Sequence, residues 1–542
     1  MNSSLFTVEN LSVSYPGSET WSVKEVSFTL NRGEKMGLVG ESGCGKSTLG
    51  RTVMRLLPPQ TRHQGTVNFE GRSVFDLDPV ALRQFRGEVV ALVFQDPMTR
   101  LDPLMTIGDH CVETLLAHQP QLSKAAAKEQ ALSTLDRVKI PASRWSQYPH
   151  EFSGGMRQRV AMALALLLKP KMIVADEPTT ALDVTVAAEI LKELTRLCAE
   201  DEMALLLISH DLAMVGEYCD RLAVMNQGEF VEMGVTNEIL YNPQHPYTQS
   251  LLEAALHIHD LDHKTDRLVE RQEPLLKVTE LKQYFTLEGN LIQQFFTPNK
   301  TYIKAVDDLN FVIYPGETLG LVGESGCGKS TLSRTILQLL KPTSGAILFH
   351  GEDLAQLSET AMRGKRRQLQ MIFQDPNACL NPMMTIGQSI AEPLLIHQLA
   401  SPSEAETQVK AMLERVKLTP VEDYYHRYPK ELSGGQQQRV AIARALITKP
   451  QLVICDEPVS MLDASVQSQV LDLMLELKAD FNLTYLFITH DLWVARFFCD
   501  RIAVMNQGKI VEIGPTESIF TNPQDDYTKR LLGAAPLLAK VA

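Results

Sequence analysis

Short apolar runs recur along the chain and end in small or acidic residues, which is typical of buried strands in a mainly parallel sheet. Longer stretches with helical spacing separate them, including residues of about 100–150 and 380–430. Strands that alternate with helices predict an α/β fold. The strand-like runs are residues 35–39, 89–94, 172–175 and 205–208 in the first half, and 318–322, 370–373, 452–455 and 485–488 in the second.

The order of these runs shows that the chain is an internal repeat. Lys46 and Lys329 are 283 positions apart (329 − 46), and Glu177 and Glu457 are 280 apart (457 − 177). This period is far too long for a solenoid, and 542 residues suffice for several domains. The sequence therefore predicts two homologous domains, at residues 1–256 and 275–542, joined by a polar linker at 257–274.

A glycine-rich segment stands between a strand and a helix in each half and fits the phosphate-binding pattern G-x-x-x-x-G-K-[ST]. In this position, backbone N–H groups and the helix dipole face an anion. A helical pattern over residues 48–57 follows the first copy and stops before Pro58. The expected nucleotide-binding residues are Gly40, Ser42, Gly43, Cys44, Gly45, Lys46, Ser47 and Thr48, with Gly323, Ser325, Gly326, Cys327, Gly328, Lys329, Ser330 and Thr331.

Polar side chains follow the predicted strands at their C-terminal ends, where doubly wound sheets bind ligands. In the first half these are Gln95, Asp176, Glu177 and His210. We expect the aspartate to hold Mg²⁺, the glutamate to polarise the attacking water and the glutamine to reach the metal or that water. A single histidine is more often structural, but its recurrence favours contact with the γ-phosphate. The counterparts are Gln374, Asp456, Glu457 and His490, and the expected metal ligands are Ser47, Gln95, Asp176, Ser330, Gln374 and Asp456.

Two further patterns suggest nucleotide contacts. A serine and two glycines open an apolar helix in each half, which gives a second anion-binding geometry, although plain helix capping explains it too. Tyr15 ends the first predicted strand, and Phe285 takes its place in the second half. Either aromatic side chain could stack on adenine or simply belong to the core. The helix-opening residues are Ser153, Gly154 and Gly155, then Ser433, Gly434, Gly435 and Gln436.

Composition narrows the class of protein. The net charge of −13 argues against a chain built mainly to coat nucleic acid. None of the eight cysteines forms C-x-x-C, so zinc ribbons are disfavoured. The apolar runs are too short for a membrane span, and the first residues lack the pattern of a signal peptide. We therefore expect a cytoplasmic protein.

Six motifs occur in the same order in each half: the phosphate loop, Gln, Ser-Gly-Gly, Asp-Glu, Leu-Asp and His. This order resembles the signature set of ABC ATPases. The resemblance occurs twice and covers nearly the whole chain. The resemblance implies two P-loop NTPase domains, each with a mainly parallel sheet core, an antiparallel β subdomain and a helical subdomain. It also implies ATP and Mg²⁺ as ligands and two composite sites in a head-to-tail pair. One site would use Lys46, Ser47, Gln95, Asp176, Glu177 and His210 with Ser433, Gly434, Gly435 and Gln436; the other would use Lys329, Ser330, Gln374, Asp456, Glu457 and His490 with Ser153, Gly154, Gly155 and Met156.

Within this family, the chain resembles the oligopeptide, dipeptide and nickel importers of bacteria in which both ATPases are fused. This resemblance rests on Gly-Glu-Ser-Gly-Cys-Gly-Lys-Ser, Phe-Gln-Asp-Pro and the segment at residues 242–248. It implies two transmembrane permeases, a separate solute-binding protein and a position on the cytoplasmic face of the inner membrane. Some members bind an iron–sulfur cluster, but residues 246–274 and 523–542 lack cysteine, so no cluster is expected.

Three departures and two alternatives remain. Met156 replaces the usual glutamine and Met461 a usual small residue, and Asp525-Asp526 replaces His-Pro in the second tail. No departure removes a catalytic group, so both sites are expected to be competent. A soluble twin ATPase that acts on ribosomes would usually have a long charged linker between its domains and a positive net charge. A DNA-repair ATPase would have zinc-binding cysteine pairs.

Overall fold

The computed structural model describes residues 4–179, 182–259, 273–286 and 302–534. This part of the chain divides into two compact units, with the boundary between Leu256 and His257. Ala181 and residues 260–272, which include most of the predicted linker, lie outside the described residues.

The first unit contains ten strands and nine α-helices. Its strands are β1 (Phe6–Ser14), β2 (Val23–Leu30), β3 (Lys35–Val39), β4 (Arg62–Phe69), β5 (Arg72–Ser73), β6 (Val90–Val93), β7 (Met172–Asp176), β8 (Ala204–Ile208), β9 (Arg221–Asn226) and β10 (Glu229–Val235). Its helices are α1 (Lys46–Thr52), α2 (Pro79–Gln84), α3 (Ile107–His118), α4 (Lys124–Arg137), α5 (Gly154–Leu166), α6 (Val184–Glu200), α7 (Leu212–Tyr218), α8 (Thr236–Tyr241) and α9 (Pro246–His259). These counts refer to described residues only.

The described residues of the second unit repeat this order, with two additional short α-helices where the first unit has 3₁₀ helices. The strands are β11 (Leu276–Thr286), β12 (Tyr302–Ile313), β13 (Thr318–Val322), β14 (Ser344–Phe349), β15 (Glu352–Asp353), β16 (Leu369–Ile372), β17 (Leu452–Asp456), β18 (Thr484–Thr489), β19 (Arg501–Asn506) and β20 (Lys509–Pro515). The helices are α10 (Lys329–Ile336), α11 (Glu359–Arg366), α12 (Pro376–Cys379), α13 (Ile386–Ile396), α14 (Pro402–Arg415), α15 (Val421–His426), α16 (Gly434–Leu446), α17 (Ala464–Phe481), α18 (Leu492–Phe498), α19 (Thr516–Thr521) and α20 (Asp526–Ala534).

Each unit has two sheets, which confirms the predicted fold class. The first unit has an antiparallel sheet in the order β2-β1-β4-β5 and a six-stranded sheet in the order β10-β9-β3-β8-β7-β6. In the larger sheet only β10 is antiparallel to its neighbour. The second unit repeats both sheets, in the orders β12-β11-β14-β15 and β16-β17-β18-β13-β19-β20.

The larger sheet of the first unit is buried on both faces, which explains its continuous apolar strands. Along β7, Ile173 and Ala175 join the core formed with α3, α4, α5 and α6, whereas Met172 and Val174 join the core formed with the antiparallel sheet. Because side chains alternate along a strand, one strand supplies both cores. The parallel strands then bring their C-terminal ends to one edge, where the predicted site residues lie.

One predicted helix ends earlier than the sequence indicated. The pattern at 48–57 predicted a helix up to Leu57, but α1 ends at Thr52. Arg55 takes a left-handed conformation with a φ of 54°, and its Nη1 donates to the carbonyl oxygens of Phe75 and Leu77, 3.1 and 2.8 Å away. These tertiary hydrogen bonds outweigh the local helical pattern and turn the chain.

No helix in the described part of the chain is both long enough and apolar enough to cross a bilayer.

Candidate nucleotide site

The first phosphate loop holds a buried lysine. Lys46 begins α1, and its Nζ donates to the carbonyl oxygens of Gly40 and Glu41, at 2.7 and 2.9 Å. Gly45 caps the helix with a φ of 110°, and a Cβ atom there would collide with the carbonyl oxygen of Ser22. Glycine is therefore required here, both for its left-handed conformation and for this close approach.

The second loop repeats this geometry. Lys329 is buried, and its Nζ lies 2.6 Å from the oxygen of Gly323 and 3.0 Å from that of Glu324. Gly328 has a φ of 111°, and a Cβ atom there would collide with the oxygen of Ala305. Both loops therefore hold an ammonium group inside a turn of backbone, at the start of a helix, as phosphate binding requires.

The other predicted loop residues are placed alike in the two units. Ser42 and Gly43 lie on the exposed tip of the first loop, whereas Cys44 is buried. The Cys44 carbonyl accepts a hydrogen bond from the Gly228 N–H at 2.9 Å, which ties the loop to the turn after β9. The second-unit counterparts are Ser325, Gly326, Cys327 and Gly508, with the same 2.9 Å hydrogen bond.

A hydroxyl and a carboxylate meet at the end of each loop. Ser47 Oγ donates to Asp176 Oδ1 at 2.8 Å, and Ser330 Oγ donates to Asp456 Oδ1 at 3.2 Å. Burial raises the pKa of both aspartates, and the serine hydrogen bonds oppose that shift in part. Such oxygen donors fit Mg²⁺, which usually takes one or two protein carboxylates and leaves other positions to water and phosphate. When bound, Mg²⁺ neutralises charge on the phosphates.

Glu177 lies between the predicted glutamine and histidine. Gln95 Nε2 donates to Glu177 Oε2 at 2.7 Å, and His210 Nδ1 lies 3.4 Å from Glu177 Oε1. The backbone of Glu177 has a φ of 47°, a strained conformation, and its N–H donates to the Ile208 oxygen at 2.9 Å. This hydrogen bond, which Glu177 donates to the neighbouring strand, therefore fixes where the carboxylate leaves the tip of β7.

Glu457 has the same surroundings. Its φ is 49°, its N–H donates to the Ile488 oxygen at 2.9 Å, and its side chain contacts Gln374 at 2.9 Å and His490 at 3.1 Å. Burial alone would raise the pKa of Glu457 and lower that of His490. Their hydrogen bond and opposite charges outweigh burial, so the pKa of Glu457 is lowered and that of His490 is raised. The carboxylate is thus held in the ionised form that a general base needs.

The glutamines contact the glutamates in this conformation. Their hydrogen bonds bring Gln95 and Gln374 beside the candidate bases. Their roles as Mg²⁺ ligands stay predictions, because the geometry links them to the glutamates rather than to the Ser–Asp pairs.

The two predicted adenine-stacking residues differ. Tyr15 lies just after β1, and its hydroxyl is 3.2 Å from Thr48 Oγ1 in the first loop. Phe285 lacks a hydroxyl; it pairs with Ile303 near the end of β11, and 38% of its surface is exposed. Tyr15 is therefore tied to its phosphate loop, whereas stacking on adenine stays a prediction for both.

The predicted serines cap helices α5 and α16. Ser153 Oγ accepts from the Met156 N–H, and Ser433 Oγ accepts from the Gln436 N–H, both at 3.4 Å. Capping is thus present, and a nucleotide contact by the same residues remains a prediction.

The glycines that follow these serines also serve packing. A Cβ atom at Gly155 would collide with Val186 of α6, and one at Gly435 with Val466 of α17. The preceding Gly154 and Gly434 leave more room. The second glycine of each segment therefore lets two helices approach closely, whatever else it does.

Two site residues were missed by the sequence reasoning. The hydroxyls of Tyr247 and Tyr527 accept hydrogen bonds from the backbone N–H groups of Glu41 and Glu324 in the phosphate loops, at 3.3 and 3.1 Å. The two tyrosines are 280 positions apart (527 − 247), the same spacing as the glutamates, and this could have revealed them.

Asp525, which occupies the position of His245 in the second half, preserves a hydrogen bond. His245 Nδ1 accepts from the Tyr247 N–H at 3.1 Å, and Asp525 Oδ1 accepts from the Tyr527 N–H at 2.8 Å. Aspartate therefore replaces histidine here without changing how the tyrosine is held.

Comparison with known families identifies the class of protein. The ABC transporter model matches residues 23–180 and 306–460. The model of the oligopeptide/dipeptide transporter C-terminal region matches residues 231–285 and 511–542, which include Tyr247 and Tyr527. The chain belongs to the ABC transporter family, and it is an ATP-binding subunit with two ATPase domains.

Individual relatives cover almost the whole chain. The glutathione import ATP-binding protein GsiA of Pectobacterium atrosepticum is 43% identical over 562 residues, which cover 98% of this chain and 89% of that protein. The protein of the same name from Escherichia coli K12 is 41% identical over 568 residues, with 98% and 90% covered. Among solved structures, cbiO1 from Clostridium perfringens, part of the ABC transporter complex cbiONQ, is 28% identical, with 46% of this chain and 92% of that chain covered and a TM-score of 0.40.

Proposed function

We propose that this protein is the energy-coupling ATPase of a bacterial importer for small peptides or related solutes such as glutathione. It works at the cytoplasmic face of the inner membrane with two permeases and a solute-binding protein that delivers the solute. The observation that carries the proposal is similarity over 98% of the chain to import ATP-binding proteins. The C-terminal region typical of oligopeptide/dipeptide transporters, present in both halves, supports it.

The two halves bind ATP in composite sites. Each nucleotide lies between the phosphate loop of one half and the Ser-Gly-Gly segment of the other, so Ser433 faces the nucleotide on Lys46 and Ser153 faces the one on Lys329. Glu177 and Glu457 act as general bases, with the histidines and glutamines beside them. The support is that each unit carries one complete set of phosphate-loop, base and Ser-Gly-Gly elements.

ATP closes the halves onto each other, and hydrolysis reopens them. The Ser433→Arg variant tests this arrangement, because an arginine would occupy the space of the γ-phosphate donors. We expect weaker crosslinking of azido-ATP at the Lys46 site and slower turnover there. Unchanged crosslinking and turnover would refute the head-to-tail arrangement.

Exposed apolar side chains suggest where the permeases dock. Leu104 is 85% exposed and Met383 is 82% exposed, at equivalent positions shortly after Gln95 and Gln374. Their N–H groups donate to Asp102 Oδ1 and Asn381 Oδ1, at 2.9 and 3.0 Å, so matching turns present them. Single exposed apolar residues are common on protein surfaces, so the support is that they recur at the same position of the same turn in both halves. A shift at either glutamine would then reach the permease through the following helical segment.

Transport measurements test the cargo and the class of function. We expect that deletion of the gene lowers uptake of at least one labelled substrate among dipeptides, oligopeptides, glutathione and nickel. We also expect the protein to co-purify with small hydrophobic membrane proteins. Unchanged uptake of all these solutes, together with association of the protein with ribosomes, would overturn the importer proposal.

A further inference from the structure

The two helix-opening segments are held differently. In the second unit, the side chain of Gln436 reaches back, and its Oε1 accepts from the Ser433 N–H at 3.0 Å while Ser433 Oγ accepts from the Gln436 N–H. This reciprocal pair is a capping box. In the first unit Met156 occupies the Gln436 position, and its thioether cannot replace the amide oxygen. Among the described residues, no side chain accepts from the Ser153 N–H.

A second hydrogen bond separates the two segments. Gln436 Nε2 donates to the hydroxyl of Tyr424 at 3.0 Å, which ties the start of α16 to α15. In the first unit the equivalent position, 280 residues earlier, is Arg144, whose Nη1 donates to Gln147 Oε1 at 2.9 Å instead. Met156 packs against the apolar core of its unit. The Ser433 segment is therefore fixed by two side-chain hydrogen bonds that the Ser153 segment lacks.

We infer that Gln436 is a positioning residue that fixes Ser433 for its nucleotide, and that Met156 leaves Ser153 less ordered. This inference rests on the proposed head-to-tail function. The site on Lys46, completed by Ser433, turns over faster than the site on Lys329, completed by Ser153. The two ATP sites are then unequal although both carry every catalytic group. A capping interaction changes stability by an amount that corresponds to roughly twofold to thirtyfold in an equilibrium.

Trapping of nucleotide in the full chain measures the share of turnover at each site. The protein is incubated with azido-ATP, Mg²⁺ and vanadate, irradiated and digested, and mass spectrometry assigns the label to peptides of either half. We expect the wild-type label mainly in the half that contains Lys46. Met156→Gln should raise the label in the half that contains Lys329 by about twofold or more. Gln436→Met should lower the label in the half that contains Lys46.

The matched control is Met233→Gln, which makes the same chemical change at an exposed position of β10, at the opposite edge of the larger sheet from β6, and should leave the distribution unchanged. Thermal unfolding of each variant shows whether the chain stays folded, so that a change in labelling reports the site. Equal labelling of the two halves in the wild type, or no effect of Met156→Gln, would overturn the inference. Increased label in the half that contains residue 156 itself would instead refute the head-to-tail arrangement on which the inference rests.

Discussion

Replacement of both candidate bases by glutamine should stop hydrolysis and spare ATP binding. Glutamine has the shape of glutamate, so its amide oxygen can still accept from Gln95 or Gln374, whose hydrogen bonds to the glutamates are 2.7 and 2.9 Å long. Its NH₂ group can donate to an unprotonated histidine where the carboxylate now lies 3.4 or 3.1 Å away. The surroundings of the phosphates therefore change little, and only the proton-accepting group is lost.

The expected fall in kcat follows from the loss of the proton-accepting group, and the expected change in ATP affinity follows from the altered hydrogen bonds. A general base contributes roughly 10²–10⁴-fold, which is about 2.7–5.4 kcal/mol of activation free energy at 1.36 kcal/mol per factor of ten. A change in one neutral hydrogen bond contributes about 0.5–1.5 kcal/mol. We therefore expect kcat to fall by at least about a hundredfold, while the Kd for ATP changes by about tenfold at most.

Phosphate release and equilibrium binding of a fluorescent ATP analogue measure these two quantities for the Glu177→Gln, Glu457→Gln double variant. The Glu253→Gln variant is the control, because Glu253 lies exposed on α9. Hydrolysis by the double variant above about a tenth of the wild-type rate would refute the assignment of these glutamates as general bases.

Three further outcomes are expected. Lys46→Met should weaken ATP binding at the first loop, because it removes the buried ammonium that faces the loop; binding of labelled ATP with the second site blocked measures this. Gly155→Ala should lower the free energy of unfolding by about 1–3 kcal/mol through the collision with Val186, as thermal unfolding can show, whereas a neutral effect would contradict the packing. The Glu457–His490 pair should stabilise the fold most between the ordinary pKa values, 4.5 and 6.5. The Glu457 contribution is lost as pH falls through its lowered folded pKa, and the His490 contribution is lost as pH rises through its raised folded pKa. The difference in free energy of unfolding between wild type and His490→Gln should therefore shrink at low pH and at high pH. A difference that does not change with pH would contradict stabilisation by this pair.

The sequence predicted those parts of the fold that local patterns determine. The strand pattern at residues 35–39 matches β3, and the run at 172–175 matches β7 up to its terminal acid. A strand buried on both faces must be apolar throughout, so its limits are visible as changes in composition. The candidate site was predictable for the same reason, since polar residues at the ends of such strands stand out.

Features that depend on contacts distant in sequence could not be predicted. The early end of α1 arises because Arg55 donates to carbonyl oxygens about twenty residues away. The left-handed backbone of Glu177 depends on a hydrogen bond to Ile208 of the next strand. The contact between Tyr247 and the phosphate loop spans more than two hundred positions. Each is a tertiary hydrogen bond that has no local sequence signal.

The repeat itself separates substitutions that matter from those that do not. At one position histidine and aspartate alternate, yet both His245 and Asp525 accept from the N–H of the following tyrosine, so the phosphate loop is held alike. At another position the first half has Met156 and the second half has Gln436, and only the glutamine can form the capping box. The chemistry of the acceptor decides whether two halves of a repeat remain equivalent. By this criterion the phosphate loops of the two halves are equivalent, whereas their Ser-Gly-Gly segments are not.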